Sequence, residues 1–224
     1  IDVSLVGSEM CIRDSLEAHG GRLHTGTAVQ QLRVEGDRVV GVTLADGTQI
    51  AARQVICNAD IWSTLGLLPE SVAPKWQRQR QATPACNGFL HLHLGFDATG
   101  MEDLPIHTVW VDDWERGIDA ERNAVVLSIP SVLDASMAPA GRHVLHAYTP
   151  ASEPWELWAD LERDSAAYQQ RKQERCAVFW RVLERRIPDI RDRCELIMEG
   201  TPLTHSHFLN VHQGSYGPAL SAAE

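Results

Sequence analysis

The chain has 224 residues, a hydrophobic content of 44% and a formal net charge of -10. This length fits one domain or one and a half, and no run approaches the ~20 apolar residues of a membrane-spanning helix. The acidic balance argues against a nucleic-acid partner, because an acidic surface repels phosphate groups.

The beginning of the chain carries an unusual string. Residues 9–15 read EMCIRDS, which is what a transposase adapter of sequencing libraries would encode. We therefore predict that residues 1–15 are adapter read-through and not native protein. The chain also begins without an initiator methionine and stops without a closing element, so we expect it to be an internal fragment.

Three strand-like runs follow the end of a helix at residues 16–21. They cover residues 27–35, 38–45 and 49–57, and the turn residues between them predict a β-meander. Residues 55–57, at the end of the third run, are all apolar. This is typical of a strand buried on both faces of a larger sheet.

The rest of the chain alternates between helical and strand-like patterns. A helix interrupted near Pro69 and Pro74 is predicted over 61–82, and the clearest helix is predicted over 164–187. Strands are predicted at 89–96, 107–111, 124–129 and 143–148. These elements predict a mixed α/β protein. Residues 16–64 and 201–224 are assigned to one domain and residues 65–200 to a second domain inserted between them.

Four stretches carry a resemblance to a known family: residues 20–60, 107–118, 127–150 and 200–219. They are similar to the carotenoid isomerase branch of the phytoene desaturase-like flavoproteins. The first stretch marks the wider amine-oxidase-like FAD superfamily. The third and fourth, LSIPSVLDASMAPAGRHVLHAYTP and GTPLTHSHFLNVHQGSYGPA, are more specific. The resemblance implies a partial FAD/NAD(P)-binding domain with an inserted α+β substrate domain.

The resemblance also implies FAD as the cofactor. Val29 matches a position whose backbone is expected to contact the adenine, and Asn58 and Ala59 match the loop expected near the dinucleotide. Tyr216 and Gly217 lie where the family chain approaches the flavin ring and the substrate. Plainer interpretations stay open, since a strand valine is commonly a core residue and Tyr216-Gly217 could equally form a turn.

Two expected flavin-binding segments do not occur in the sequence. The family opens with a glycine-rich GxGxxG turn, which lets the backbone approach the pyrophosphate, and closes with a Gly-Asp segment. We therefore expect this chain alone to bind FAD poorly and to be inactive. No side chain is assigned as a catalytic acid or base.

Several histidines are candidate metal ligands. His91 and His93 share one face of a predicted strand, and His205, His207 and His212 follow near the end of the chain. A metal site needs three or four ligands in one shell, and no cysteine or carboxylate has diagnostic spacing. We therefore expect no metal. Five scattered cysteines without a CxxC pair predict a reducing compartment.

The function implied by the resemblance is rotation of cis double bonds in a poly-cis carotene such as prolycopene. A reduced flavin would supply a transient loss of double-bond order without net redox change. Two alternatives stay open: a carotenoid desaturase or saturase of the same fold, and a non-enzymatic escort protein for prenylated partners. The oligomeric state is left unassigned.

The implied substrate is a hydrophobic polyene, which resides in lipid. We therefore expect a cytoplasmic protein that is peripheral to a photosynthetic or inner membrane. Trp155 and Trp158, together with Leu157 and Leu161, could form the membrane-facing patch. Alternatively, tryptophans of this domain could line a polyene tunnel or belong to an ordinary core.

Overall fold

The computed structural model describes residues 12–101 and 103–219. Helices and sheets both occur in it, as predicted for an α/β protein. The chain divides into two compact units between Pro84 and Ala85. This division lies later in the chain than the predicted domain boundary after residue 64, and residues 201–219 belong to the second unit. Which unit serves FAD and which serves a substrate stays a prediction.

The first unit is built around a three-stranded antiparallel meander in the order β1-β2-β3. Its strands are β1 (Val29–Glu35), β2 (Arg38–Leu44) and β3 (Gln49–Ala51). Gly36 and Gly47 occupy the two turns with φ of 61° and 85°, a backbone conformation that glycine adopts without steric cost. The predicted meander is confirmed. Residues 12–18 are helical and are called α1.

The segment after β3 differs from the prediction. Strand β3 ends at Ala51, and residues 52–58 form neither helix nor strand. Ile56 is 97% exposed, so the predicted strand buried on both faces is wrong. A buried strand needs hydrogen-bonded neighbours, because its backbone polar groups must be satisfied away from water. The described residues provide residues 55–57 with no strand partner.

Two short helices complete the first unit, where one interrupted helix was predicted. Helix α2 (Ile61–Leu67) begins after Asp60, whose carboxylate accepts the Ser63 backbone N–H at 2.7 Å. It buries Trp62 and Leu65. Helix α3 (Pro74–Gln81) begins with a proline, which suits a first helical position because that N–H needs no intrahelical acceptor.

The second unit contains a five-stranded sheet in the order β5-β6-β7-β4-β8, and all its pairings are antiparallel. Its strands are β4 (Gly88–Asp97), β5 (His107–Val111), β6 (Ala124–Ser128), β7 (Arg142–Glu153) and β8 (Cys194–Gly200). The α-helices among the described residues of this unit are α4 (Ala166–Arg186), α5 (Ile190–Arg193) and α6 (Pro202–Leu209), and short 3-10 helices occur between the elements. Four of the strands were predicted, and β8 was missed.

One face of this sheet and helix α4 form the core. Alternate residues of β4 point towards α4, and Leu90, Leu92 and Phe96 are fully buried. Cys176, Phe179 and Leu183 belong to the same core cluster, and they lie at helical spacing on one face of α4. The predicted apolar face of this helix is therefore confirmed. The Ser165 hydroxyl caps its start by accepting the Tyr168 backbone N–H at 3.1 Å.

A buried ion pair ties the end of β7 to α4. The fully buried Glu153 carboxylate accepts hydrogen bonds from Arg175 Nε and Nη2 at 2.8 and 2.7 Å and from Trp158 Nε1 at 3.0 Å. Arg175 also pairs with Glu121. Burial raises the pKa of the Glu153 carboxyl, and the hydrogen bond with Arg175 opposes that rise. The ionised carboxylate therefore depends on its arginine partner.

The hydrogen bond between Trp158 and Glu153 bears on the membrane-facing patch considered above. Trp158 is 0% exposed, and Trp155, Leu157 and Leu161 pack partly buried against the core. These residues therefore do not form a membrane-facing surface. Among the described residues, no helix has both the length and the apolar composition that crossing a membrane would require.

Replacing Arg175 with methionine should lower the free energy of unfolding by about 3–5 kcal/mol, because it strands the Glu153 carboxylate without a counter-charge. Arg181→Met on the exposed side of the same helix is the matched control and should change stability by less than about 0.5 kcal/mol. Urea unfolding of the purified protein measures both. Equal effects of the two substitutions would contradict the role given to this pair.

Candidate functional site

The face of the sheet that points away from α4 carries a concentration of ring side chains. On β4 these are Phe89, His91 and His93, which alternate with the core leucines. Strand β7 pairs antiparallel with β4, and it places His146 opposite His93 and Tyr148 opposite His91. These five residues are called the histidine face below. Side chains alternate between the two faces of a strand, so the pairing of β4 with β7 brings these five side chains onto one face.

Three imidazoles of this face are in mutual contact. His91 Nδ1 lies 2.7 Å from His146 Nε2, so one of these nitrogens donates a hydrogen bond to the other. The rings of His93 and His146 stack almost parallel, with centroids 4.4 Å apart. Helix α6 contributes His205, whose ring meets that of His91 edge-on at 4.7 Å. Together His91, His93, His146 and His205 form the histidine cluster.

The histidine cluster is neutral near pH 7. Burial, together with a smaller effect of the neighbouring histidines, lowers the pKa of His91 to about 3. Burial also lowers the pKa of His146 to about 4, again with a contribution from His93. The pKa values of His93 and His205 lie below the ordinary value, mainly because of partial burial. Uncharged imidazoles cost far less to bring against an apolar ligand than charged groups would.

The predicted substrate-binding residues adjoin this cluster. The Tyr216 ring lies 3.9 Å from that of Phe89, centroid to centroid, and 6.4 Å from that of His205. The Gly217 carbonyl accepts the Cys86 N–H at 2.9 Å, which ties this segment to the chain just before β4. Tyr216 remains 64% exposed. Its position beside the histidine face agrees with a binding role, which stays a prediction.

The predicted FAD-binding residues lie in the first unit. Val29 is the first residue of β1 and is 38% exposed. Asn58 and Ala59 are exposed and stand just before α2, where the Ala59 carbonyl accepts a hydrogen bond from the Thr64 hydroxyl at 3.3 Å. Exposed residues of this kind can supply one rim of a cofactor site but cannot enclose it. The described residues of the first unit therefore do not by themselves fit FAD.

Sequence reasoning recognised part of the histidine face and missed the rest. The shared face of His91 and His93 followed from their spacing, and the structure confirms it. His146 and Tyr148 were missed because only the pairing of β7 with β4, more than fifty residues apart in the chain, brings them there. The signal was present in both strands, since each alternates ring side chains with small or aliphatic ones. His207 is exposed and packs against Phe208 instead.

Comparison with known proteins supports the resemblance seen in the sequence. The flavin containing amine oxidoreductase family matches residues 5–190. The chloroplastic prolycopene isomerase of Arabidopsis thaliana is 33% identical over 221 residues, which cover 95% of this chain and 36% of that protein. The zeta-carotene-forming phytoene desaturase of Myxococcus xanthus is 28% identical over 138 residues, which cover 58% of this chain and 26% of that protein.

A solved structure supports the fold class. An oxidoreductase from Methanosarcina mazei superimposes with a TM-score of 0.55 at 19% identity, over 82% of this chain and 39% of that one. At this identity the likeness concerns the fold alone. The chain spans 36% of the length of the Arabidopsis relative.

His91→Phe should reduce the loss of stability that acid causes. Above pH 6.5 the folded and unfolded states both keep His91 neutral, but as the pH falls towards 3 only the unfolded state takes up a proton. Between about pH 7 and pH 4.5 this linkage should remove roughly 1–3 kcal/mol of stability from the wild type, and the variant should lose less. Urea unfolding in metal-free buffer at both pH values checks this; identical losses would contradict a buried neutral His91.

Proposed function

Since the chain belongs to the family of flavin containing amine oxidoreductases, we propose that the complete protein is an FAD-dependent isomerase acting on a poly-cis carotene. The observation that carries the proposal is the similarity to a prolycopene isomerase over 95% of the chain. The matched part of the chain includes residues of both units and the whole histidine face. The reported desaturase is less identical and matches a smaller part of the chain.

The histidine face suits a flat, apolar, rigid substrate. Phe89, Tyr148 and Tyr216 offer aromatic surfaces at one end of it, with ring centroids 3.9 to 5.8 Å apart along the row. The neutral imidazoles beside them keep this wall uncharged. Such a wall can orient a polyene and exclude water, because it offers contact area without strongly hydrated groups.

The bound flavin would supply the chemistry, a transient loss of double-bond order that allows rotation. In this proposal the residues of the chain bind and orient the polyene and keep the bond away from water. A desaturase or saturase of the same fold is the second candidate, and it is favoured by the similarity to the phytoene desaturase. In that case electrons would leave or enter the substrate, and the product would differ in hydrogen content.

The protein expressed from the complete reading frame should convert prolycopene to the all-trans isomer under anaerobic, reducing conditions, with no change in mass. Chromatography of the products distinguishes isomerisation from desaturation. Tyr216→Ala should lower kcat/KM about tenfold, because it removes the ring that packs against Phe89. Tyr216→Phe should retain most of the activity, since the ring supplies the contact.

Trp114→Ala is the matched control for this assay, because Trp114 is an aromatic side chain that is 77% exposed and makes no ring contact with the histidine face. It should leave kcat/KM unchanged. An unchanged isomer profile with the wild-type protein would reject the isomerase. A product with altered hydrogen content would establish the desaturase or saturase in its place, and a purified protein without flavin would favour the escort protein.

We also propose that the complete protein contacts a membrane peripherally, on the cytoplasmic side of a photosynthetic or inner membrane. The proposal is supported by the nature of the substrate, which partitions into lipid, and by the exposed end of α6. Phe208 and Leu209 are consecutive and 66% and 64% exposed, and the Arg163 guanidinium lies 5.4 Å from the centre of the Phe208 ring. An apolar tip beside a basic group suits the interface of an anionic bilayer.

Replacing Phe208 and Leu209 with serine should reduce the liposome-bound fraction of the complete protein several-fold. Each methylene group that no longer enters the bilayer lowers the membrane-binding free energy by about 0.8 kcal/mol. Flotation with anionic liposomes measures the bound fraction. Leu133→Ser, at a leucine that is 78% exposed elsewhere, is the control. Binding that survives the double substitution would show that α6 is not the contact.

A further inference from the structure

We propose that His91, His93 and His146 form a binding site for a borderline divalent transition-metal ion, with Zn²⁺ as the representative. One ring nitrogen from each of these residues lies within 4.8 Å of the others. Imidazole nitrogen is a preferred ligand for this class of ion. The site does not include Val29, Asn58 or Ala59, the residues expected to bind FAD, and it goes beyond the proposed isomerase function.

All three ligand residues lie on β-strands and none lies on a loop. His91 and His93 alternate on β4, and the hydrogen-bonded ladder between β4 and β7 fixes His146 directly opposite His93. Strand β8 pairs with the other side of β4, so this strand is held on both edges. Ligands on paired strands are positioned more precisely than ligands on loops, because neighbouring strands restrict their movement.

The separations between the nitrogens are close to those that coordination needs. Two nitrogens bound at about 2.0–2.1 Å to a tetrahedral ion lie about 3.3–3.4 Å apart. His91 Nδ1 and His146 Nε2 are 2.7 Å apart, so this pair would open by about 0.6–0.7 Å, and wider pairs within the 4.8 Å limit would close. His93 and His146 stack with nearly parallel rings, so one of these rings would turn out of the stack to bring its lone pair to the ion while the sheet stays fixed.

The ring nitrogens also have the lone pairs that a metal ion requires. A neutral imidazole has one unprotonated ring nitrogen, and the contact between His91 Nδ1 and His146 Nε2 brings two ring nitrogens to the centre of the site. His91 Nε2 is buried and has no hydrogen-bond partner among the described residues. Nε2 lies on the other side of the ring from Nδ1, so it can hydrogen-bond an outer partner while Nδ1 binds the ion.

Three protein ligands leave a further coordination position open. Of the three residues, His91 is buried, His146 is half-buried and His93 is exposed, so the open position would face the His93 side. A water molecule or another small donor would fill it, as in catalytic zinc sites. His205 lies against His91, and its buried Nδ1 also lacks a hydrogen-bond partner among the described residues, so it can support a ligand ring from outside.

The test is Zn²⁺ binding to the complete protein without substrate, so its outcome is independent of the isomerase assay. The protein is stripped with a chelator and titrated with Zn²⁺ by calorimetry, and the bound metal is counted by mass spectrometry after dialysis. We expect one Zn²⁺ per chain. His93→Ala and His146→Ala should each weaken binding by at least about tenfold, because even outer-sphere partners are worth that much.

His107→Ala is the matched control. This histidine lies on β5 of the same sheet and bonds Ser128 at 2.8 Å, outside the histidine cluster, so its removal should leave Zn²⁺ affinity unchanged. His146→Phe keeps an aromatic ring for the stack with His93 and removes only the nitrogens. Zn²⁺ should raise the Tm of the wild type and not that of His146→Phe.

Two results would overturn the site. One is the absence of stoichiometric Zn²⁺ binding by the wild-type protein at saturating metal. The other is an affinity that stays within about twofold of the wild type in both His93→Ala and His146→Phe, since loss of a direct ligand costs more than this. In the second case any bound metal would lie elsewhere on the protein.

Discussion

The second unit depends on the two-sided alternation of strand β4. Its even-numbered residues, Leu90 to Phe96, are buried against α4, whereas its odd-numbered residues carry the imidazoles and Phe89. A shift of one residue in its pairing would move the histidines into the apolar core and the leucines onto the opposite face. Because β4 is hydrogen-bonded to β7 and β8 on its two sides, this register is held from both edges. Core stability and site geometry therefore have the same structural cause.

Desolvation determines what the histidine face can do. Four imidazoles in contact with one another cannot all carry charge, and burial holds them in the neutral form. A neutral face of rings can lie against a polyene at low cost, and it also retains nitrogen lone pairs for a metal ion. A bound divalent ion would place positive charge on this face, so the polyene would then pack against its aromatic end, at Phe89 and Tyr148. On the core side of the sheet, buried Arg175 and Glu153 remain charged, because each neutralises the charge of the other.

Features that depend on residues close together in the chain could be predicted from the sequence, whereas features that depend on contacts between distant segments could not. The meander, the apolar face of α4 and the shared face of His91 and His93 depend on local periodicity, and these predictions are confirmed. Strand β8 was missed because four of its seven residues are exposed and it lacks clear alternation. His146 joins the site only through pairing with a strand far away in the chain, which a single sequence does not reveal.

Two errors have a related cause. The run at residues 55–57 was interpreted from its apolar composition as a buried strand, yet burial requires neighbours that the described residues do not provide. A membrane-facing patch that included Trp158 was one interpretation made for the same compositional reason, and the structure instead supports the core interpretation, since its indole donates a hydrogen bond to the buried Glu153. Composition indicates that a segment prefers to be covered, but it does not identify what covers it.

The most direct test of this account is a crystal structure of the complete protein with its flavin and a bound poly-cis carotene. The account predicts polyene carbons within about 4.5 Å of the rings of Phe89, Tyr148 or Tyr216, on the side of the sheet opposite α4. A polyene bound elsewhere, with the histidine face packed against another part of the protein, would contradict it.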